Sequence, residues 1–386
     1  MIVTVTANPA LDVTYRLAGL TIDATNRVSE VSVRAGGKGV NVARVLGQLA
    51  GHVPWVPPVV AVGLRGGVEG TTLLADLDAA GVAYDFAPVA APTRRTVAVV
   101  DTVTGAVTML NEPGPEVTPA EWAGLRARVE ALLPAASVLV LSGSLPPGVP
   151  SLAYAELVRQ ADRHGVPVIV DTHASALAPA VAARPELVKP NTAELAGAIT
   201  ALETLTGAAH PDAGESRNPG GLEGQAAALR RAGARAVVAS DGPRGLYADT
   251  GEGRWQVVPH QVHTGNPTGA GDAAVAALAA GLAAGWDWPR MLVHATALSA
   301  AAVRAPLAGQ VDTGVYLAAI DRTRAVPVDV SPGSPEYPPG DGVEGPRTTH
   351  PPARRGGGSR TEHSPGAGTV RGSVGTDQTS EEPPCR

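Results

Sequence analysis

A chain of 386 residues, 44% of them hydrophobic and 17% charged, has apolar material for a large core; its length suits two or three small domains or one large α/β domain. A formal charge of −6 argues against nucleic acid or an anionic membrane surface as the main partner. The only cysteine, Cys385, excludes a disulfide framework within the chain, no apolar run is long enough to span a bilayer, and no secretory signal precedes the strand-like Ile2–Thr6, so a cytoplasmic protein is expected.

Taken in chain order, Ile2–Thr6 reads as a buried strand, and 12–34 as successive short strands and turns without a helix. A helix over Gly39–Leu49 and a strand at Val59–Val62 follow. Residues 84–110, with Thr96–Val100 inside, again read as strands alone. Beyond them, strands at Val138–Leu141, Val166–Asp171, Leu187–Lys189 and Ala236–Ser240 alternate with Ala/Leu-rich helices at Glu121–Leu133, Ser151–His164 and Gly224–Ala232. Helical patterns at Ala273–Ala284 and Ala295–Val303 close the series. Strands alternating with helices predict an α/β fold, a mostly parallel sheet with helices on both faces. The two helix-free segments, about 12–34 and 84–110, predict a small antiparallel sheet projecting as a lid. The polar stretch near 206–221 reads as a surface loop. Residues 327–386, rich in Pro, Gly, Ser and Thr, predict a disordered tail behind a domain of residues 1–326.

The most informative run is Thr268-Gly269-Ala270-Gly271-Asp272, which leads straight into the helix at Ala273. A glycine turn opening a helix presents free N–H groups and the positive end of the dipole, which suits an anion. A carboxylate at that spot can accept a proton from a hydroxyl attacking a bound phosphate; a plain first-turn cap is the alternative for the motif alone. A second glycine-dense run, Ala35 to Ala43, also opens a helix, and it lacks the Walker A spacing. Its Gly37 allows close approach of a substrate, Asn41 suits sugar hydroxyls and Lys38 an anionic group. Lys38 and Lys189 are the only lysines among 30 basic residues. Arginine has replaced lysine elsewhere, which singles out these two as places where guanidinium geometry does not serve.

Together, Thr6–Asp12, Asn26-Arg27, Gly36–Ala43 and Thr268–Asp272 resemble the ribokinase-like (PfkB) carbohydrate kinases. Within that family they resemble the group of 1-phosphofructokinase, minor 6-phosphofructokinase and tagatose-6-phosphate kinase. The resemblance runs from Met1 to about Val326. It implies a ribokinase-like three-layer sandwich with a small antiparallel β lid, ATP and Mg²⁺ as cofactors, a sugar phosphate as partner and a homodimer formed through the lid. By resemblance, Asp272 is the catalytic base, and the Gly269, Ala270 and Gly271 backbone forms the anion hole. Asp12, Gly37, Asn41 and Ser142 in the Ser142–Gly148 rim bind the sugar; Arg94, Arg27 and Lys38 meet its phosphate. On the nucleotide side, Lys189, Asn191 and Glu194 bind the cofactor, and Asn191 and Glu194 organise Mg²⁺ through water, with a capping box as a role compatible with it. Ser240, Gly242 and Gly245 cradle the ATP phosphates and ribose, and Thr296 lies beside the adenine. One departure is Asp171-Thr172-His173-Ala174, where the group often has Asp-Thr-Ser-Gly.

The activity so implied is phosphorylation of a ketohexose phosphate to the bisphosphate. The alternatives are a kinase of an unphosphorylated sugar or nucleoside, which leaves three cations without a partner, and an inactive sugar-phosphate sensor.

Overall fold

The computed structural model describes residues 1–53, 55–206 and 221–328. The polar stretch at 207–220 and the Pro/Gly-rich segment from 329 onward lie outside the described residues. All described residues fall in one compact unit, Met1–Pro332.

The strands are β1 (Ile2–Thr6), β2 (Ala10–Leu17), β3 (Glu30–Gly36), β4 (Val59–Arg65), β5 (Ala83–Pro88), β6 (Arg94–Asp101), β7 (Val107–Asn111) and β8 (Val138–Ser142), followed by β9 (Val168–Asp171), β10 (Leu187–Val188), β11 (Val237–Ser240), β12 (Leu246–Asp249), β13 (Arg254–Val258) and β14 (Arg324–Pro327). The helices are α1 (Lys38–Ala50), α2 (Gly67–Ala79), α3 (Pro119–Leu132), α4 (Ala153–Asp162), α5 (Ala174–Ala182), α6 (Thr192–Thr206), α7 (Gly221–Ala232), α8 (Ala270–Ala283), α9 (Trp288–Val303) and α10 (Thr313–Ile320).

Ten strands form the main sheet in the order β14-β13-β12-β11-β10-β9-β8-β1-β4-β5. From β5 to β11 every neighbour runs parallel, and the β12–β14 edge is antiparallel. The central strands are continuous apolar runs because both faces are covered. Within β1, Ile2 packs into one core while Val3 and Val5 enter the other, and in β8 Val138 and Val140 oppose Leu139 and Leu141. Helices α3 to α7 cover the face of Val3 and Val5; α1, α8, α9 and α10 cover the face of Ile2. The first part of α8, through Gly281, is buried almost all round. Its Ala273–Ala280 stretch carries only Ala, Val and Leu, and the small side chains let it lie close to α1, α9 and the sheet. This fixes the axis along which the first turn of α8 points.

The lid is a separate four-stranded sheet, β3-β2-β6-β7. Its outer pairings are antiparallel, as expected, while the central β2–β6 pair runs parallel, so the sheet is mixed. The chain enters β6 from the main sheet rather than by a hairpin from β2, and so arrives in the same direction as β2. For the same reason the expected lid segment starts too early: Ala83–Pro88 pairs in parallel with β4 at the edge of the main sheet. The expectation there rested on strand character, and strand character says nothing about which sheet a strand joins.

Candidate active site

The parallel strands present their carboxyl ends to one crevice, the usual place for a ligand in an open α/β sheet. The crevice holds a cleft of about 1070 Å³, roofed by the lid through Ala10, Asp12, Arg94 and Thr96. Asp12, Gly37, Lys38, Asn41, Arg94, Lys189, Asn191, Glu194, Ser240, Gly242, Gly245, Gly269, Ala270, Gly271, Asp272 and Thr296, which lie far apart in sequence, all line it.

Gly269 precedes α8 with φ +88°, a left-handed conformation that favours glycine, and a Cβ there would lie 3.1 Å from the Ala308 Cα. The turn sets the start of α8 on the cleft; the Ala270 amide donates to the Pro267 carbonyl at 3.2 Å, while those of Gly271 and Asp272 have no intrahelical acceptor. Asp272 sits in that first turn, buried at 6% exposure, and its Oδ2 accepts a hydrogen bond from Asn41 Nδ2 at 2.8 Å. Burial above all, with the charge of Asp171 second, pushes its carboxyl up to about 6. Lys38, the Asn41 hydrogen bond and Lys189 oppose the rise. A carboxylate poised near neutrality, held by one oxygen, is suited to receive a proton.

Both lysines belong to one ionic network. Lys38 Nζ meets Asp171 Oδ1 at 3.2 Å and Glu194 Oε1 at 3.1 Å, while Lys189 Nζ lies 3.6 Å from Asp171 Oδ1. Burial would lower Lys38, but Asp171, Glu194 and Asp272 outweigh it and raise it above its ordinary value. Burial would likewise raise Asp171, yet the two lysines hold its carboxyl below the usual range. Lys38, expected at the sugar phosphate, is instead tied to these carboxylates. Asp171 lines the cleft and was missed as a site residue, because nothing in its local sequence marks it apart from the departure that follows it.

Asn191 and Glu194 form a reciprocal capping box at the start of α6: the Glu194 amide donates to Asn191 Oδ1 at 2.8 Å, and the Asn191 amide to Glu194 Oε2 at 3.0 Å. Among the described residues no group of three His, Cys, Asp or Glu could hold a metal directly. The oxygens of Asn191 and Glu194, with the buried, unpartnered Oδ2 of Asp171, are the hard donors that suit a Mg²⁺ retaining much of its water. The residues present therefore fit a metal held mainly by water and nucleotide phosphates.

At the lid, Thr96 Oγ1 donates to Asp12 Oδ1. Burial raises the Asp12 carboxyl, against the Thr96 hydrogen bond and the charges of Arg94, Arg34 and Arg44. The Asp12 carboxylate rests against Gly36, where a Cβ would come within 2.0 Å of Oδ2. Arg94 donates from Nε and Nη2 to the Asn8 carbonyl at 3.2 and 3.1 Å, and from Nη1 to the Glu112 carbonyl at 2.9 Å. Two expected residues are not in the cleft. Arg27 is exposed on the connection between β2 and β3, and Ser142 is fully buried at the end of β8. In the loop two residues beyond the end of β8, Ser144 lines the cleft and accepts from Asn8 Nδ2 at 3.2 Å.

Ser240, Gly242, Gly245, Thr296 and Ala300 also line the cleft. Asp241 and Arg244 clasp each other at 2.6 and 2.8 Å and stiffen the loop that carries the two glycines. Thr296 Oγ1 is buried without a hydrogen-bond partner.

A glycine turn opening a helix, with a buried carboxyl in its first turn and a β lid above, suits phosphoryl transfer to a hydroxyl. Residues 6–313 match the pfkB family of carbohydrate kinases, and the chain belongs to that family. Its structure is similar to phosphofructokinase-2 from Escherichia coli, with TM-score 0.73 at 27% identity over 83% of this chain and 98% of that one. That enzyme has also been solved with fructose-6-phosphate and as a tetrameric inhibited form. A possible 1-phosphofructokinase from Thermotoga maritima gives TM-score 0.71 at 26% identity, over 85% of this chain and 100% of that one. A ribokinase from Thermotoga maritima shares the fold at 19% identity and TM-score 0.61, over 82% and 99%.

Proposed function

We propose that the chain transfers the γ-phosphoryl group of ATP to a primary hydroxyl of a ketohexose phosphate, giving a ketohexose bisphosphate and ADP. The observation that carries this reading is Asp272, a buried carboxyl raised to about 6 in the first turn of α8, across the cleft from Asp12. Asp12 and Asn41 orient the sugar. Asp272 takes the hydroxyl proton as that oxygen bonds to phosphorus, and the bond from phosphorus to the ADP oxygen breaks with its electron pair leaving on ADP. The N–H groups of Gly271 and its neighbours receive the charge of the transferring group. Mg²⁺, held through water by Asn191 and Glu194, would neutralise phosphate charge. Thr296 and the Ser240–Gly245 loop hold the nucleotide.

The proposal takes residues 1–326 as the kinase domain. It also includes a homodimer through the outer lid face, where Val31, Val33 and Leu110 are exposed. No described helix is long and apolar enough to cross a membrane, and the proposed setting is cytoplasmic.

Purified protein assayed for ADP release should use fructose 1-phosphate, fructose 6-phosphate or tagatose 6-phosphate in preference to the free ketohexoses. Equal or better turnover of a free sugar or nucleoside would replace this reading with the unphosphorylated-sugar one. No ADP release from any acceptor would leave the sensor. A second expectation follows from the base. Because only the ionised carboxylate accepts a proton, kcat/KM should fall about tenfold per pH unit below about 6. A profile flat down to about pH 4.5 would remove Asp272 from that role.

A further inference from the structure

The cations first assigned to the acceptor's phosphate are largely committed elsewhere. Lys38 is held by two carboxylates, Arg27 lies outside the cleft, and Arg94 spends three donor contacts on backbone carbonyls. Arg34 is different. In the β2–β3 ladder it stands directly opposite Asp12, so both side chains project from the same face of the lid. Its Nη1 is buried without a hydrogen-bond partner, and the carboxylate that acts on its charge is Asp12 across the ladder. Behind it, the guanidinium of Arg44 is 94% buried by residue exposure, with Nε also unpartnered. Asp76 pairs with Arg44 and also accepts from the Ala35 amide at 2.7 Å, and the Asp12 charge acts on Arg44 as well.

Arg34 lines a recess of about 60 Å³ that adjoins the cleft, sharing Asp12, Thr96, Met109 and Thr268 with it. Ser32 and Thr14 add hydroxyl donors to its wall. The two neighbouring guanidinium groups repel, and burial acts on both against the opposing charge of Asp12. A recess with cationic and hydroxyl donors beside a sugar-binding carboxylate is therefore built for a tetrahedral oxyanion, with Asp12 limiting that anion to the Arg34 end.

We infer that Arg34, backed by Arg44, holds the phosphate group that the acceptor sugar already carries. This rests on the sugar-phosphate reading above. Calorimetric titration of each ketohexose phosphate into nucleotide-free protein, together with steady-state kinetics, tests it in the wild type, R34Q and R34K. R34Q should weaken binding of the preferred sugar phosphate, and raise its KM, by about 10–100-fold, with KM for ATP and saturating kcat changed far less. R34K, which keeps the charge and loses the fork, should recover part of the loss. Melting curves identify the folded fraction, and R34K carries the test if R34Q does not fold. Unchanged sugar-phosphate affinity in a folded R34Q, or in R34K if R34Q does not fold, overturns the assignment, as does an equal loss for ATP. A wild type that ignores the phosphate of the sugar would instead sink the sugar-phosphate reading itself.

Discussion

Asp272→Asn is expected to lower turnover by about 10²–10⁴-fold while leaving the fold at least as stable as the wild type. The amide fills the same space and can still accept from Asn41, so positioning survives and only proton acceptance is lost. Stability should move the other way. The folded carboxyl, at about 6, binds its proton more tightly than the unfolded one at 3.8. Its contribution is therefore full below the unfolded value and is lost as pH rises through about 6, leaving a buried charge at pH 7 that costs roughly 1–3 kcal/mol. The Asn variant never bears that charge. Thermal melting at pH 7 should place it at or above the wild type, with the difference shrinking at pH about 5. Near-wild-type turnover in this variant would dismiss Asp272 as the base; a large loss of stability at pH 7 would show that the carboxylate is structural. The residue that performs the chemistry is, on this account, one the fold would be more stable without.

Much of the architecture was legible because burial writes itself into local pattern. The β8 run, apolar on both faces, and the β-branched β1 run read as central strands, and the alanine-rich α8 as a tightly enclosed helix. Less legible were elements with weak periodicity. Helix α5 carries Pro179 within it, and β12 to β14 sit at the sheet edge with short, mixed patterns. Sheet membership was not legible at all for Ala83–Pro88, since pairing with β4 is a long-range choice.

The site divides along the same line. Glycine turns opening helices carry their geometry in a few adjacent residues, so Gly37, Gly269 and Asp272 could be found from sequence. Arg94 and Lys38 could also be placed near the cleft, yet their partners could not. The carbonyls of Asn8 and Glu112, and the carboxylates of Asp171 and Glu194, are brought to them only by the fold. Arg34 went unnoticed because an arginine on a strand reads as a solvated charge until its face of the lid is known.

The second large effect is expected at Asp171. Its carboxyl is 1% exposed and is the shared counter-ion of Lys38 and Lys189, the latter itself 3% exposed. Asp171→Asn leaves Lys189 a buried cation with no paired carboxylate among the described residues, while Lys38 keeps Glu194. Removing one member of such a buried set typically costs about 3–5 kcal/mol, which urea unfolding at pH 7 would read directly. The sign with pH follows from the lowered folded value: the contribution is present above the unfolded pKa and disappears as pH falls through the folded one. The stability gap between wild type and variant should therefore close at strongly acid pH. The same substitution should act on Asp272, because the Asp171 charge helps raise it and both lysines, then unopposed, favour its ionised form. The acid limb of the kcat/KM profile should move to lower pH in Asp171→Asn, below the wild-type value of about 6. An acid limb that stays put, or moves upward, would mean that burial alone tunes the base, and that the two lysines serve only the fold.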